Sequence, residues 1–219
     1  TVEGDKSISI RWVLLSSLSK KRSISNNLLK SEDVLNAIKC VKILGSKVKI
    51  RKTRCEIIGS GLEDKFKKRV LLNAGNSGTL GRLILGLLVN TKNKIKLIGD
   101  KSLSKRDFSR IITPLQKFGV TFYPKEKKTL PIYIKGTNFL RPIKFQDNIG
   151  SAQIKTSICL AALNAPGETI IKSKRCRDHT EKLFKFLKIP IKVKKEKNFD
   201  LIKIKGLKKF QSFDYHIPA

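Results

Sequence analysis

Three times along this chain the apolar positions fill in without the gaps that a surface helix needs. They do so at Trp12-Val13-Leu14-Leu15, at Leu83-Ile84 with Leu87-Leu88, and at Ile158, Leu160 and Leu163. A helix that is apolar on every side belongs in a core, so helices over 7–18, 77–88 and 151–163 are expected to be buried. After each, the pattern runs through one order: strand, second helix, then two strands closing at a glycine. In the first unit these are 22–25, 31–44, 47–50 and 54–58, ending at Gly59; in the second, 93–98, 104–118, 120–123 and 131–135, ending at Gly136. The third has 168–172, 178–187, 189–193 and 201–205, ending at Gly206. The second helices carry one stripe only, Val34, Ile38 and Val41 in the first and Phe108, Ile111, Ile112, Leu115 and Phe118 in the second.

The spans from Ser7 to Gly59, Ser77 to Gly136 and Ser151 to Gly206 are nearly equal and share one element order, which marks an internal repeat. Alternating helices and strands predict an α/β domain. The expected fold is a single lobe of three helix-strand-helix-strand-strand units, at about 1–70, 71–140 and 141–219. They would pack with pseudo-threefold symmetry around the buried helices, whose N-termini would gather at one end.

Each buried helix opens on a small polar knot: Lys6-Ser7, Asn76-Ser77-Gly78-Thr79 and Gly150-Ser151-Ala152-Gln153. Backbone N–H groups at a helix start have no partner inside the helix, and the dipole there favours negative charge. Three gathered starts would make a surface for several phosphate or carboxylate groups. Arg82 lies one turn beyond Gly78 and Thr79 on the same face, where a guanidinium can clamp such an anion.

Composition changes this picture little. A net charge of +31 points to a polyanion partner, yet the lysines run through the whole chain and aromatics for base stacking are only 7%. A basic nucleic-acid-binding module is therefore the alternative, not the leading reading. No apolar run approaches the roughly 20 residues of a membrane span, and Thr1-Val2-Glu3-Gly4-Asp5 does not read as a signal peptide. Cys40, Cys55, Cys159 and Cys176 form no CxxC pair and there are two histidines, so reduced thiols in a cytoplasm are expected, with no metal site.

Five ordered motifs carry a resemblance: Gly4-Asp5-Lys6-Ser7-Ile8-Ser9-Ile10-Arg11, Gly75-Asn76-Ser77-Gly78-Thr79-Leu80-Gly81-Arg82, Gly99-Asp100-Lys101-Ser102-Leu103-Ser104-Lys105-Arg106, Ser151-Ala152-Gln153-Ile154-Lys155 and Arg177-Asp178-His179-Thr180-Glu181. Together they closely resemble the first half of the 5-enolpyruvylshikimate-3-phosphate synthase family, over nearly the whole chain. The resemblance implies one lobe of a two-lobe enzyme that joins shikimate 3-phosphate to phosphoenolpyruvate and releases phosphate, without cofactor. It implies shikimate 3-phosphate contacts at Lys6, Ser7, Arg11, Ser151, Ala152, Gln153, Ser173 and Arg177. The phosphoenolpyruvate side, where the herbicide glyphosate also binds in this family, falls on Lys6, Asn76, Gly78, Thr79, Arg82, Arg106 and Gln153. Lys6 is the candidate for proton transfer, an electrostatic role being the blander alternative.

The family's second lobe, with its acidic proton-transfer groups, would follow Tyr215-His216-Ile217-Pro218-Ala219, so these residues alone are expected to fold as a monomer, to bind shikimate 3-phosphate weakly and not to turn over. Three features depart from or qualify the pattern. Asp107 stands where proline is usual and is expected to disturb the grip of Arg106. Cys176 stands where Ser or Thr is usual and reads as a buried, inert thiol. His179 reads as part of a helix start, with Asp178 and Glu181 three positions on as its capping pair. The fold-related RNA 3′-phosphate cyclases would need a nucleotide-handling histidine, and neither His179 nor His216 has that context.

Overall fold

The computed structural model describes residues 3–61 and 70–219. Its elements run α1 (Lys6–Ser16), β1 (Arg22–Asn26), α2 (Glu32–Ile43), β2 (Lys47–Arg51), β3 (Arg54–Ile58), β4 (Val70–Asn73) and α3 (Gly78–Leu87). They continue through β5 (Ile95–Ile98), a 3₁₀ turn (Leu103–Lys105), α4 (Ser109–Lys117), β6 (Thr121–Tyr123), β7 (Ile132–Lys135), β8 (Lys144–Asp147) and α5 (Ala152–Ala162). The last are β9 (Glu168–Lys174), α6 (His179–Phe186), β10 (Ile191–Lys195), β11 (Phe199–Lys205) and β12 (Asp214–His216). Among these residues no helix is long and apolar enough to cross a membrane.

The predicted elements are present, with one division. The helix expected over 104–118 is a 3₁₀ turn followed by α4. Between them the Asp107 carboxylate accepts from the Ser109 backbone N–H and hydroxyl and starts α4 anew. The apolar stripe is unaffected: Phe108, Ile111, Ile112, Leu115 and Phe118 are all buried.

Each unit also has a strand that the pattern did not reveal. The three sheets are ordered β12-β1-β3-β2, β4-β5-β7-β6 and β8-β9-β11-β10. In each, the first pair is parallel and the other two are antiparallel. A parallel pair needs a crossover; α3 carries the chain from β4 to β5, and α5 carries it from β8 to β9. The first sheet has no such strand ahead of α1. Segment 214–216, placed with the third unit by position, supplies it by pairing Ile24 with Asp214 and Asn26 with His216. Backbone bonds from Asp5 N to Pro218 O (2.7 Å) and from Ile217 N to Asn26 O (3.0 Å) fasten that closure. These leading strands are three or four residues long, and Lys144–Asp147 and Asp214–His216 show no clean alternation.

α1, α3 and α5 fill the centre, buried on all sides beyond their first turns but for Arg82 of α3. α3 crosses α5 where Gly86 lies on the Ser157 carbonyl, so close that a Cβ would overlap it. The three closing glycines have one shared role. A Cβ on Gly59 would strike the Ser17 carbonyl, on Gly136 that of Val89, and on Gly206 that of Ala165. Each strand thus ends against the chain leaving its own central helix. Amides beside those glycines also satisfy carbonyls there: Gly59 N donates to Ser19 O (2.8 Å), Thr137 N to Val89 O (3.0 Å) and Leu207 N to Leu163 O (2.8 Å). The C-terminal ends of the central helices are sealed by protein.

Overpacking against backbone cannot be relieved by a rotamer change, so Gly136→Ala should cost about 3 kcal/mol. Gly167→Ala, at φ +88° with only the Pro142 ring 3.4 Å from its new Cβ, should cost less, about 1 to 2 kcal/mol of backbone strain. Urea midpoints of the two variants at unchanged slope test this ordering.

Candidate active site

The N-terminal ends of the central helices are held quite differently. The Asp5 carboxylate accepts from Ile8 N (2.7 Å), the Ser77 hydroxyl from Leu80 N (3.2 Å) and the Ser151 hydroxyl from Ile154 N (3.4 Å). One side chain thus serves one amide at each start, and the earlier N–H groups of each first turn have no partner within the helix. The starts converge as expected. Ser7 and Arg11 of α1, Thr79 of α3, and Gly150, Ser151, Ala152 and Gln153 at the head of α5 line one cleft of about 440 Å³. Arg175, Cys176, Arg177 and His179, leading into α6, complete it.

Arg11 is the cleft's buried charge, only 5% exposed. Its Nε donates to Thr180 Oγ1 (2.9 Å), Nη1 to Ser7 O (2.8 Å) and Nη2 to Thr156 Oγ1 (2.9 Å). The two threonine hydroxyls touch at 2.6 Å, and that of Thr156 also reaches Ala152 O. Every direct partner of the guanidinium is neutral, and among the described residues no carboxylate stands at ion-pair distance from it. Burial lowers its pKa to about 10, an effect that the more distant Glu181 and Asp5 oppose. It stays a cation at neutral pH and would gain from an anion in the cleft.

Around it the knots are cross-tied. Gln153 Nε2 donates to Thr79 Oγ1 (3.0 Å), joining α5 to α3. Asp147, buried at the end of β8, accepts from Ser151 N (2.8 Å) and the Ser173 hydroxyl (3.4 Å). Ser173 is therefore buried beneath the knot and does not line the cleft. Arg177 is exposed on the cleft wall.

Of the remaining predicted residues, Gly78, Arg82 and Arg106 lie together. The ideal Cβ position on Gly78 is 2.8 Å from Arg82 Nη1 and 3.1 Å from Arg106 Nη1, so a side chain there would push the guanidiniums outward. Burial first, and then Arg106 and Arg110, push the Arg82 pKa down, while Asp107 pulls the other way. Arg82 also donates to the Gly78 carbonyl and stacks on Phe108. Asp107 makes no ion pair with Arg106; its carboxylate is taken by Ser109. Lys6 is half exposed and paired with Asp33 of α2 at 3.3 Å. Asn76 is exposed at the head of α3.

Two local expectations need correction. Asp178 makes no capping bond and pairs instead with Lys182 (3.1 Å), while Glu181 turns inward to Lys155 of α5 at 2.5 Å. A buried ammonium reaching α6 outcompetes the helix's own amide for that carboxylate. Cys176 is not buried; it is part-exposed on the cleft wall.

A family model described as EPSP synthase (3-phosphoshikimate 1-carboxyvinyltransferase) matches residues 1–219. The chain belongs to the EPSP synthase family. The 3-phosphoshikimate 1-carboxyvinyltransferase of Alkaliphilus metalliredigens is 43% identical over 189 residues, covering 85% of this chain and 44% of the relative. That of Streptococcus pyogenes is 40% identical over 184 residues, covering 83% and 43%. An EPSP synthase structure from Acinetobacter baumannii superposes on all of this chain and 49% of its own, with a TM-score of 0.90 at 33% identity. The chain spans about half the length of the EPSP synthases it matches.

The motifs of this chain pointed to most of the cleft but not to its supports. Thr156, Thr180 and Asp147 had no role in that reading, and Glu181 was read as a cap and not as the partner of Lys155. Thr180 and Glu181 lie inside the Arg177-Asp178-His179-Thr180-Glu181 motif and could have been weighed as partners for Arg11 and Lys155. Nothing local marks Thr156 or Asp147.

Lys155 and Glu181 are 1% and 5% exposed, so removing one partner strands a buried charge. Lys155→Met alone should cost about 3 to 5 kcal/mol, and Lys155→Met with Glu181→Leu should recover most of it. Burial lowers the Lys155 pKa but Glu181 outweighs it, leaving a net rise. The pair's stabilisation is therefore full below the ordinary lysine pKa and lost as pH climbs through the raised one. Denaturation midpoints followed into the alkaline range should fall in the parent and stay flatter in the double variant.

Proposed function

We propose that this chain is the shikimate 3-phosphate-holding half of a 3-phosphoshikimate 1-carboxyvinyltransferase, the enzyme that moves the enolpyruvyl group of phosphoenolpyruvate to the 5-hydroxyl of shikimate 3-phosphate. The observation that carries the reading is Arg11, a buried guanidinium with only neutral partners facing a cleft edged by three helix starts. Such a cation is expensive without an anion, and a phosphate or carboxylate matches its fork.

In this reading Ser7, Arg11, Ser151, Ala152, Gln153 and Arg177 hold shikimate 3-phosphate, with Lys6 reaching in from the rim. Ser173 acts through Asp147 on the Ser151 knot. Asn76, Gly78, Thr79, Arg82 and Arg106, with Lys6 and Gln153, receive phosphoenolpyruvate, and glyphosate competes there. Fixed cations and helix dipoles offset the repulsion between the two anions, and holding the hydroxyl against the enol carbon supplies proximity. Lys6, already engaged by Asp33, serves electrostatics first and proton transfer second. The groups that protonate the methylene and take the hydroxyl proton are assigned to the other half of the enzyme, and the reaction needs no metal or organic cofactor.

Nucleic-acid binding and an RNA cyclase activity are not favoured, since the buried charge is set for a compact anion and His179 sits at a helix start.

Calorimetric titration of the 219-residue chain with shikimate 3-phosphate should show one site. Arg11→Ala should weaken it by about 2 kcal/mol, roughly thirtyfold, the worth of charge-assisted hydrogen bonds. A short oligonucleotide should bind only weakly and in a salt-labile way. Equal affinity of the parent and Arg11→Ala for shikimate 3-phosphate would falsify the assignment, as would phosphate release from both substrates by this chain alone.

A further inference from the structure

His179, the first residue of α6, lines the anion cleft together with Arg11, Arg177 and the head of α5. Its neighbours there are engaged: Arg11 by Thr156, Thr180 and Ser7 O, Gln153 by Thr79, and the Ser151 hydroxyl by Ile154 N. The half-buried imidazole is not. Among the described residues neither ring nitrogen has a hydrogen-bond partner, and Nδ1 is shut off from solvent as well. The edge that the ring turns to the cleft is therefore the Nε2 edge.

That placement decides where the proton sits. A neutral imidazole has one N–H and one bare nitrogen. On Nδ1 the proton would be a buried donor with no acceptor, a group that costs its full desolvation; on Nε2 it faces the cleft. The surroundings also keep the ring neutral. Burial first, and then Arg11 of α1, push its pKa below the usual histidine value. Arg177 acts in the same sense, while Asp5 ahead of α1 and Asp178 on its own segment oppose them. Asp178 is itself paired with Lys182 at 3.1 Å. The cleft thus holds an uncharged donor beside a buried guanidinium.

We propose that His179 is a further ligand-binding residue of this cleft, donating from Nε2 as a neutral imidazole to the anion that Arg11 holds. It rests on the function proposed above in taking that anion to be the phosphate of shikimate 3-phosphate. The ring adds direction where Arg11 adds charge. Arg175 and Arg177 already stand on the same wall, and one more cation there would repel them before any ligand arrives. A neutral donor fixes one oxygen without that cost. Once the anion is bound, its charge favours the imidazolium, so occupation should draw the His179 pKa back up.

The chain has two histidines, His179 in the cleft and His216 exposed on β12, so nitrogen-15 NMR of the labelled 219-residue chain reads their rings one by one. Above neutral pH, His179 should show a bare Nδ1 and a protonated Nε2. Saturation with shikimate 3-phosphate, or with inorganic phosphate, should move the Nε2 signals and raise the midpoint of that ring's titration, leaving His216 unchanged. Two variants measure the bond. A glutamine amide nitrogen stands where Nε2 does, and an asparagine one where Nδ1 does. His179→Gln should therefore bind shikimate 3-phosphate within about threefold of the parent, and His179→Asn roughly tenfold more weakly, the worth of one hydrogen bond to a charged group. A proton on Nδ1, a His179 ring indifferent to an anion that calorimetry shows to be bound, or equal affinity of the two variants would overturn this proposal and leave the role of Arg11 intact. No binding of either anion would overturn both.

Discussion

A helix that is apolar on every side can be buried only if both of its polar ends are dealt with, and this lobe deals with its two ends in opposite ways. At the C-terminal ends the carbonyls meet amides from the ends of strands, brought within reach by glycines that no larger residue could replace. At the N-terminal ends each helix has one capping side chain, and its other first amides have no partner within the helix. The asymmetry is a consequence of packing. Three sheets wrapped around three rods leave one rim where backbone donors are in excess, and an excess of aligned donors attracts anions whatever side chains surround it.

The side chains then sharpen a site that the backbone has already biased. Arg11 is the central case. Pairing it with a carboxylate would have been the cheaper way to bury a guanidinium, but it would also have cancelled the field in the cleft. Two threonines and a carbonyl satisfy its geometry and leave its charge available. The carboxylate that might have neutralised it, Glu181, is occupied by Lys155, so the buried pair beneath the cleft keeps an acid away from the cation as well as joining α5 to α6.

Periodicity and repetition made much of this legible. The all-round apolar runs identified the buried rods, and the equal spans to Gly59, Gly136 and Gly206 identified the units, because both features are forced by packing and recur three times. The leading strands were hidden for the opposite reason. β4, β8 and β12 are short, and β12 belongs to a sheet whose other members lie at the far end of the chain. Register between distant segments leaves no local trace. The supports of the cleft were hidden likewise: Thr156 is one more polar residue in a helix until Arg11 is known to lie against it. Glu181 was misassigned because the spacing Asp178 to Glu181 fits a capping box, and tertiary charge prevailed over local capping.

Asp107 shows how a substitution at a site's edge can be absorbed. A carboxylate between Arg106 and the helix that follows should draw that arginine off its ligand. Instead the two oxygens are turned to Ser109, whose N–H and hydroxyl hold the carboxyl below its usual pKa range, and the Asp107 carbonyl accepts from Arg82. Asp107 precedes the Phe108 cap position of α4, and its carboxylate accepts from the first amide of that helix. The start of α4 is kept, and the charge it introduces is spent within one turn. Arg82 and Arg106 are therefore left to face Gly78 together, where the missing side chain makes room for them and for whatever anion they share.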